Sequence, residues 1–194
     1  FQTDEWLASF HHYVAREMGG TVGPDGQVTV GGRTIRAIAC PIGIDSKDFI
    51  AAADSAEAQA TFDMVAASAL GRRMLVGVDR LDYSKGLEER FAGYERFLET
   101  RPEQRKAVYL LQIAPPSRSS VESYQRIRAS LDGLSGRING ANADLDWVPL
   151  RYVNQGFGRA ALAGVYRAAA VGVVTPLRDG MNLVAKEFIA AQDP

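Results

Sequence analysis

The sequence is poor in the residues that build crosslinks and metal centres: one cysteine, Cys40, and two histidines, the neighbours His11 and His12, in 194 residues. One thiol cannot close an intrachain disulfide, and one Cys with two adjacent His does not make a zinc cluster. With both histidines near the start, neither a Ser-His-Asp triad nor a metal-hydroxide mechanism finds its parts in the rest of the chain. A lone thiol fits a reducing, cytoplasmic setting. No apolar run approaches the roughly 20 residues of a membrane span, and the opening residues lack the basic, apolar, small-residue succession of a secretory signal. An excess of either charge is also missing. Lys and Arg number 22 against 23 Asp and Glu, a formal net charge of -1, so no global field gathers nucleic acid or anionic membrane. Any anion has to be caught locally. The chain opens on Phe1 without an initiator Met and stops on Gln192-Asp193-Pro194 behind an apolar-periodic stretch, which reads as a piece of something longer.

The hydrophobic fraction, 46%, is that of an ordinary globular chain long enough to bury a core, so neither disulfides nor a structural metal is needed. Trp6, Leu7, Phe10, Tyr13, Val14 and Met18 recur at helical spacing and predict a helix over 1–18, ended by Gly19-Gly20. A hairpin-like, extended region follows to Ala39, and a Pro/Gly break at Pro41 to Gly43 predicts a domain boundary near residue 45. Residues 46–70 read as helices. From about residue 73, short apolar runs at Met74 to Val78, Ala107 to Ile113, Trp147 to Tyr152 and Ala170 to Thr175 alternate with amphipathic stretches. Those stretches are Leu87 to Leu98, Ser120 to Leu134, Arg159 to Ala169 and Asn182 to Ala191. Such alternation predicts an α/β fold, a Rossmann-like parallel sheet with helices on both faces. Ligands of such sheets sit beyond the carboxyl ends of the strands.

The loops at those ends are where chemistry is expected. Arg80 and Lys85 follow the first run and precede a helix, a place suited to an anion: Arg grips phosphate with two parallel N–H bonds, Lys adds a point charge, and the helix start behind Gly86 adds partial positive charge. A merely solvated loop, with Arg80 paired to Asp79 or Asp82, stands as the plain alternative. After the last run come Asp179-Gly180, a tight turn, and Asn182, a helix N-cap, with Glu187 on the face of Leu183 one turn on. There the plain alternative makes Asp179 and Asn182 caps and leaves Glu187 in solvent. Arg118 follows the rigid Pro115-Pro116 exit of the second run, and Phe157 lies in the loop after the third. Asp144 and Asp146 match a D-x-D metal pattern, but they precede a strand, at the wrong end of a parallel sheet.

Taken together, Arg80-Leu81-Asp82-Tyr83-Ser84-Lys85-Gly86-Leu87, Gln112-Ile113-Ala114-Pro115, Ser135-Gly136-Arg137-Ile138-Asn139-Gly140 and the run from Thr175 to Glu187 resemble the trehalose-6-phosphate synthases, glycosyltransferase family 20. The resemblance covers nearly the whole chain, including Phe1-Gln2-Thr3 and Pro41 to Ile44. It implies a retaining glucosyltransferase of GT-B architecture, in which residues 1–45 end an N-terminal, acceptor-binding domain and 46–194 begin the C-terminal, donor-binding domain. The implied partners are a nucleotide sugar, UDP-glucose or another NDP-glucose, and glucose 6-phosphate. No cofactor and no metal are implied, and self-association stays open. By the same resemblance Arg80, Lys85 and Asp179 are the catalytic set. Ile113, Phe157, Gly180, Met181, Asn182, Leu183, Val184, Ala185, Lys186 and Glu187 join them in holding the donor, and Arg118 takes the acceptor phosphate. Gly156 departs from the histidine that precedes this aromatic in relatives. A two-domain cleft needs both walls, so this stretch alone is expected to be inactive. A related pseudo-glycosyltransferase with a GDP- or ADP-activated donor and a noncatalytic sugar-phosphate sensor remain as alternatives.

Overall fold

The computed structural model describes residues 1–117 and 122–192, and the chain divides into two compact units, Phe1–Gly43 and the remainder from Ile44. In the first unit the helix α1, Asp4–Glu17, is capped by Thr3, whose hydroxyl accepts from the Trp6 amide at 3.3 Å. It packs on an antiparallel meander of β1 (Thr21–Val22), β2 (Gln27–Val30) and β3 (Arg33–Arg36), where Gly31-Gly32 closes the second hairpin. Val14, Val28 and Ala37 form its small core.

The second unit starts with two helices, α2 (Ser46–Ala53) and α3 (Ala56–Ala69), each begun by a side-chain cap, Asp45 and Ser55. The strands β4 (Arg73–Val78), β5 (Val108–Ile113), β6 (Leu150–Val153) and β7 (Val171–Gly172) make one sheet, all pairs parallel, in the order β6-β5-β4-β7. Between them run α4 (Leu87–Thr100), α5 (Glu122–Asn142) and α6 (Arg159–Ala168), and α7 (Leu183–Ala191) follows β7. Alternate strand residues face opposite ways. Met74, Val76, Tyr109 and Ile113 pack with Phe49, Tyr166 and Phe188 of α2, α6 and α7, whereas Leu75, Val108, Leu110 and Leu150 pack with Phe91, Leu98 and Leu131 of α4 and α5. Both faces of the sheet are thus covered, which is why its strands read as unbroken apolar runs. Among the described residues no helix is long and apolar enough to cross a membrane.

Three boundaries differ from the sequence expectation. Helix α5 runs on past Leu134 to Asn142, through Ser135, Gly136 and Gly140, because Ile138 is fully buried and the Asn139 side chain bonds both the amide and the carbonyl of Leu150. Tertiary contacts there outweigh the low helix propensity of glycine. The third strand starts at Leu150 rather than Trp147, which instead pairs with Asp144 in an isolated bridge and donates its indole N–H to the Val108 carbonyl at 2.8 Å. The last strand shrinks to Val171–Gly172, since β4 is its partner on one side and Pro176 cannot extend a ladder.

Leu131 is fully buried on the α4/α5 side, whereas Met64 of α3 is 64% exposed. Leu131→Ala should cost about 2–5 kcal/mol and Met64→Ala less than about 0.5 kcal/mol in urea unfolding. Equal effects would mean that this helical layer is not part of the core.

Candidate active site at the carboxyl ends of β4 and β7

Strand order reverses at β4: the chain moves outward through β5 and β6, then returns to place β7 on the other side of β4. The loops leaving β4 and β7 therefore border a crevice at the carboxyl edge, the usual place for a ligand in such a sheet. A cavity of about 130 Å³ occupies it, lined by Val78, Asp79, Arg80, Lys85 and Asp179 and by Met181 to Val184. A larger cavity of about 300 Å³ beside α4 is walled mainly by Leu75, Tyr94, Phe97, Leu110 and Val173. It lacks the convergence of cations that marks the smaller one.

The β4 side of the crevice is a 3-10 turn, Tyr83–Lys85, capped by Asp82. Asp82 accepts from the Ser84 amide at 3.0 Å, the Ser84 hydroxyl at 2.8 Å and the Tyr124 hydroxyl at 3.0 Å. Burial pushes this carboxyl up, but those bonds and the Arg80 charge outweigh it and hold Asp82 below the usual carboxylate range. Gly86 ends the turn with φ +62°, and a Cβ there would lie 2.6 Å from the Thr175 carbonyl, so only glycine lets the two loops come together. The amides of Leu177 and Arg178 both donate to the Ser84 carbonyl, at 3.0 and 3.2 Å.

Across the crevice the Lys85 ammonium meets Asp179 at 2.5 Å, and the Asn182 amide group donates to the same Asp179 oxygen at 3.3 Å. Asn182 also caps α7, its Oδ1 accepting from the Ala185 amide at 3.3 Å, as its position in the sequence predicts. The amides of the first turn of this helix lack intrahelical partners by geometry and lie beside the cations. Glu187 is half-buried rather than in solvent, with the Tyr166 hydroxyl donating to it at 3.4 Å. Burial first, and then the Glu187 charge, raise the Tyr166 phenol far above its ordinary value. Met181, Leu183 and Val184 line the same wall, whereas Gly180 in the preceding turn and Ala185 and Lys186 of α7 are not among its lining residues.

The remaining candidates are elsewhere. Ile113 is 2% exposed and sits in the core, its carbonyl already accepting from the Asp79 amide at 3.1 Å. Phe157 is 42% exposed on the loop after β6, where neighbouring Gly156 approaches Pro115. Arg118 lies outside the described residues. At the opposite end of the strands Asp144 pairs with Lys106, and Asp146 pairs with Arg72 at 2.6 Å, so both carboxylates of the D-x-D pattern are engaged by cations.

Neither acid of the β4 loop pairs closely with Arg80, which is exposed. Asp79 is held instead by Arg90 of α4, a residue that sequence reasoning passed over: Nη1 donates to Asp79 at 2.6 Å and to Gln112 at 2.8 Å, and Nε donates to the Thr175 hydroxyl at 3.0 Å. Burial pushes Asp79 up against the lowering pull of Arg90. The signal was present in the helical phase, since Arg90 shares the stripe of Leu87, Phe91, Tyr94 and Leu98, all buried.

The model of glycosyltransferase family 20 matches residues 1–194. The chain belongs to that family. It is 45% identical over all 194 residues to a trehalose-6-phosphate synthase of Sinorhizobium fredii, of which it covers 42%. It superposes with a TM-score of 0.96, at 48% identity, on an alpha,alpha-trehalose-phosphate synthase (UDP-forming) of Burkholderia xenovorans in complex with glucose-6-phosphate, covering 43% of that chain. With a trehalose-6-phosphate structure from E. coli bound with UDP-2-fluoro glucose the TM-score is 0.93 at 41% identity, with 43% of that chain covered. The chain therefore spans about two fifths of the length of these relatives, and in each case all of it is matched. As a member of that family it has the α/β architecture of the GT-B fold, here a parallel sheet with helices on both faces.

Asp82 gives this site an acid-sensitive element. Because its folded pKa lies below the unfolded value of about 3.9, its stabilising effect is complete above that pH and is lost as the pH falls through the folded value. The stability difference between wild type and Asp82→Asn should be largest at neutral pH and shrink below about pH 4. A difference independent of pH would remove the charge from the explanation.

Proposed function

We propose that this chain carries the donor side of a glucosyltransferase that moves glucose, with retention, from UDP-glucose to glucose 6-phosphate, giving trehalose 6-phosphate and UDP. The single observation that carries the reading is the convergence of Arg80, Lys85 and the α7 N-terminus on one cleft at the strand-order reversal. The named relatives, one in complex with glucose-6-phosphate and another bound with UDP-2-fluoro glucose, support the choice of substrates. In this reading residues 1–45 close an acceptor-binding domain and 46–194 belong to the donor-binding domain.

The chemistry follows from charge. As the bond from the anomeric carbon to the diphosphate oxygen breaks, positive charge grows on the sugar ring and negative charge on the departing UDP. Preoriented donors facing that oxygen stabilise the second of these more in the transition state than in the ground state. Arg80 supplies a two-pronged grip and Lys85 a point charge, aimed by its 2.5 Å bond to Asp179. Asp179 stands at the transferred glucose, the first-turn amides of α7 at the phosphates, Glu187 at the ribose diol and Phe157 at the nucleotide. Arg118 takes the acceptor phosphate. The acceptor hydroxyl attacks from the face that UDP leaves, its proton passing to the diphosphate oxygen, so the configuration is kept without an enzyme nucleophile.

In the complete enzyme, Arg80→Ala and Lys85→Ala should each lower kcat by about ten- to a thousandfold and weaken nucleotide affinity less. Unchanged kcat in both would reduce the loop to a solvated one. The function itself is tested by offering UDP-, GDP- and ADP-glucose with glucose 6-phosphate and reading the linkage by NMR. Preference for UDP-glucose with an α,α product is expected. Preference for another donor reassigns the base, and no transfer from any donor points to a sensor.

A further inference from the structure

The buried polar side chains of the described residues are Asp79, Arg90 and Gln112, and all three meet on the α4 side of the sheet just below the cleft. We infer that Arg90 is a positioning residue: its guanidinium, bonded at once to Asp79 and Thr175, fixes the root of the β7 loop that presents Asp179 against the root of the β4 loop that presents Arg80 and Lys85. The inference rests on the donor-binding reading of those loops and adds to it a residue that touches no substrate.

Beyond the sheet the second loop is tied to the first at its tip, by the Leu177 and Arg178 amides on the Ser84 carbonyl and by the Lys85–Asp179 pair, and at its root by Arg90. β7 pairs with β4 only through Val171 and Gly172, and the last bond along that edge is from the Val173 amide to the Val76 carbonyl at 2.7 Å. Thr175 lies beyond it, four residues before Asp179. Arg90 reaches it from a helix that is itself immobilised by Leu87, Phe91 and Leu98, each with no exposed surface. The same guanidinium holds Asp79, the residue before Arg80, so one rigid fork spans both sides of the crevice. Room for it is made by Gly77, where a Cβ would fall 2.3 Å from Gln112 Oε1 and 2.6 Å from Arg90 Nη1.

A buried ion pair is often no better for stability than apolar side chains of the same volume. What an apolar replacement cannot supply is the two-point geometry. Lysine cannot supply it either, being a single point charge.

Thr175→Val and Arg90→Lys separate placement from folding, because the first keeps the Arg90–Asp79 pair and the second keeps a charge beside Asp79. In the complete enzyme both should lower kcat by about ten- to a hundredfold with KM for the nucleotide sugar within about threefold of wild type. Hydrogen exchange over residues 176–182 should accelerate in both, while the β4 and β5 amides keep their protection. That second readout needs no turnover. If wild type transfers no glucose, the proposed function falls, yet exchange still decides whether Arg90 holds the loop. Unchanged exchange over 176–182 overturns the inference. So does a kcat within about twofold of wild type in an active, folded Thr175→Val enzyme. Should Arg90→Lys not fold, Thr175→Val decides alone.

Discussion

The parallel pairing of β7 with β4 is the contact on which the cleft depends. It is short, two register pairs, yet it reverses the strand order and brings Lys85 and Asp179, 94 positions apart, into a 2.5 Å ion pair. Without that return to β4 the chain would continue past β6, and the two loops would open on different parts of the edge. The apolar residues of α6 and α7 make the return favourable: Tyr166, Val165 and Phe188 bury themselves against Met74 and Val76. Hydrophobic burial on one face of the sheet thus places the charged groups at its end.

Charge within the second unit is organised by what each acid is already bonded to. Asp79 is taken by Arg90, and Asp82 by Ser84 and Tyr124, so the two acids that flank Arg80 in sequence have their oxygens engaged elsewhere. The exposed Arg80 is in this way not drawn into a close pair with either acid of its own loop. At the far end of the strands Lys106 and Arg72 engage Asp144 and Asp146 in the turn before β6.

Much of this was legible along the chain. Period-3.6 apolar spacing over Leu87 to Leu98, unbroken runs at Met74 to Val78 and at Ala107 to Ile113, and a helix cap at Asn182 all correspond to the elements observed. These are local signals, set by which face of a short segment must leave water. The structure departs from local pattern where a distant partner decides: Ile138 and Asn139 carry α5 across two glycines because Leu150 and the core lie opposite, and Trp147 leaves the strand because its indole N–H finds the Val108 carbonyl.

The sequence by itself determined the class of fold and the places of most helices and apolar strands, since these follow from composition and from contacts within a few residues. Strand order, the exchange of partners that gives Asp79 to Arg90 rather than to Arg80, and the burial of Glu187 against Tyr166 were decided only by tertiary structure. Each of these joins residues far apart in the chain. Which of several possible partners a charge or a strand edge receives depends on packing that no local window contains.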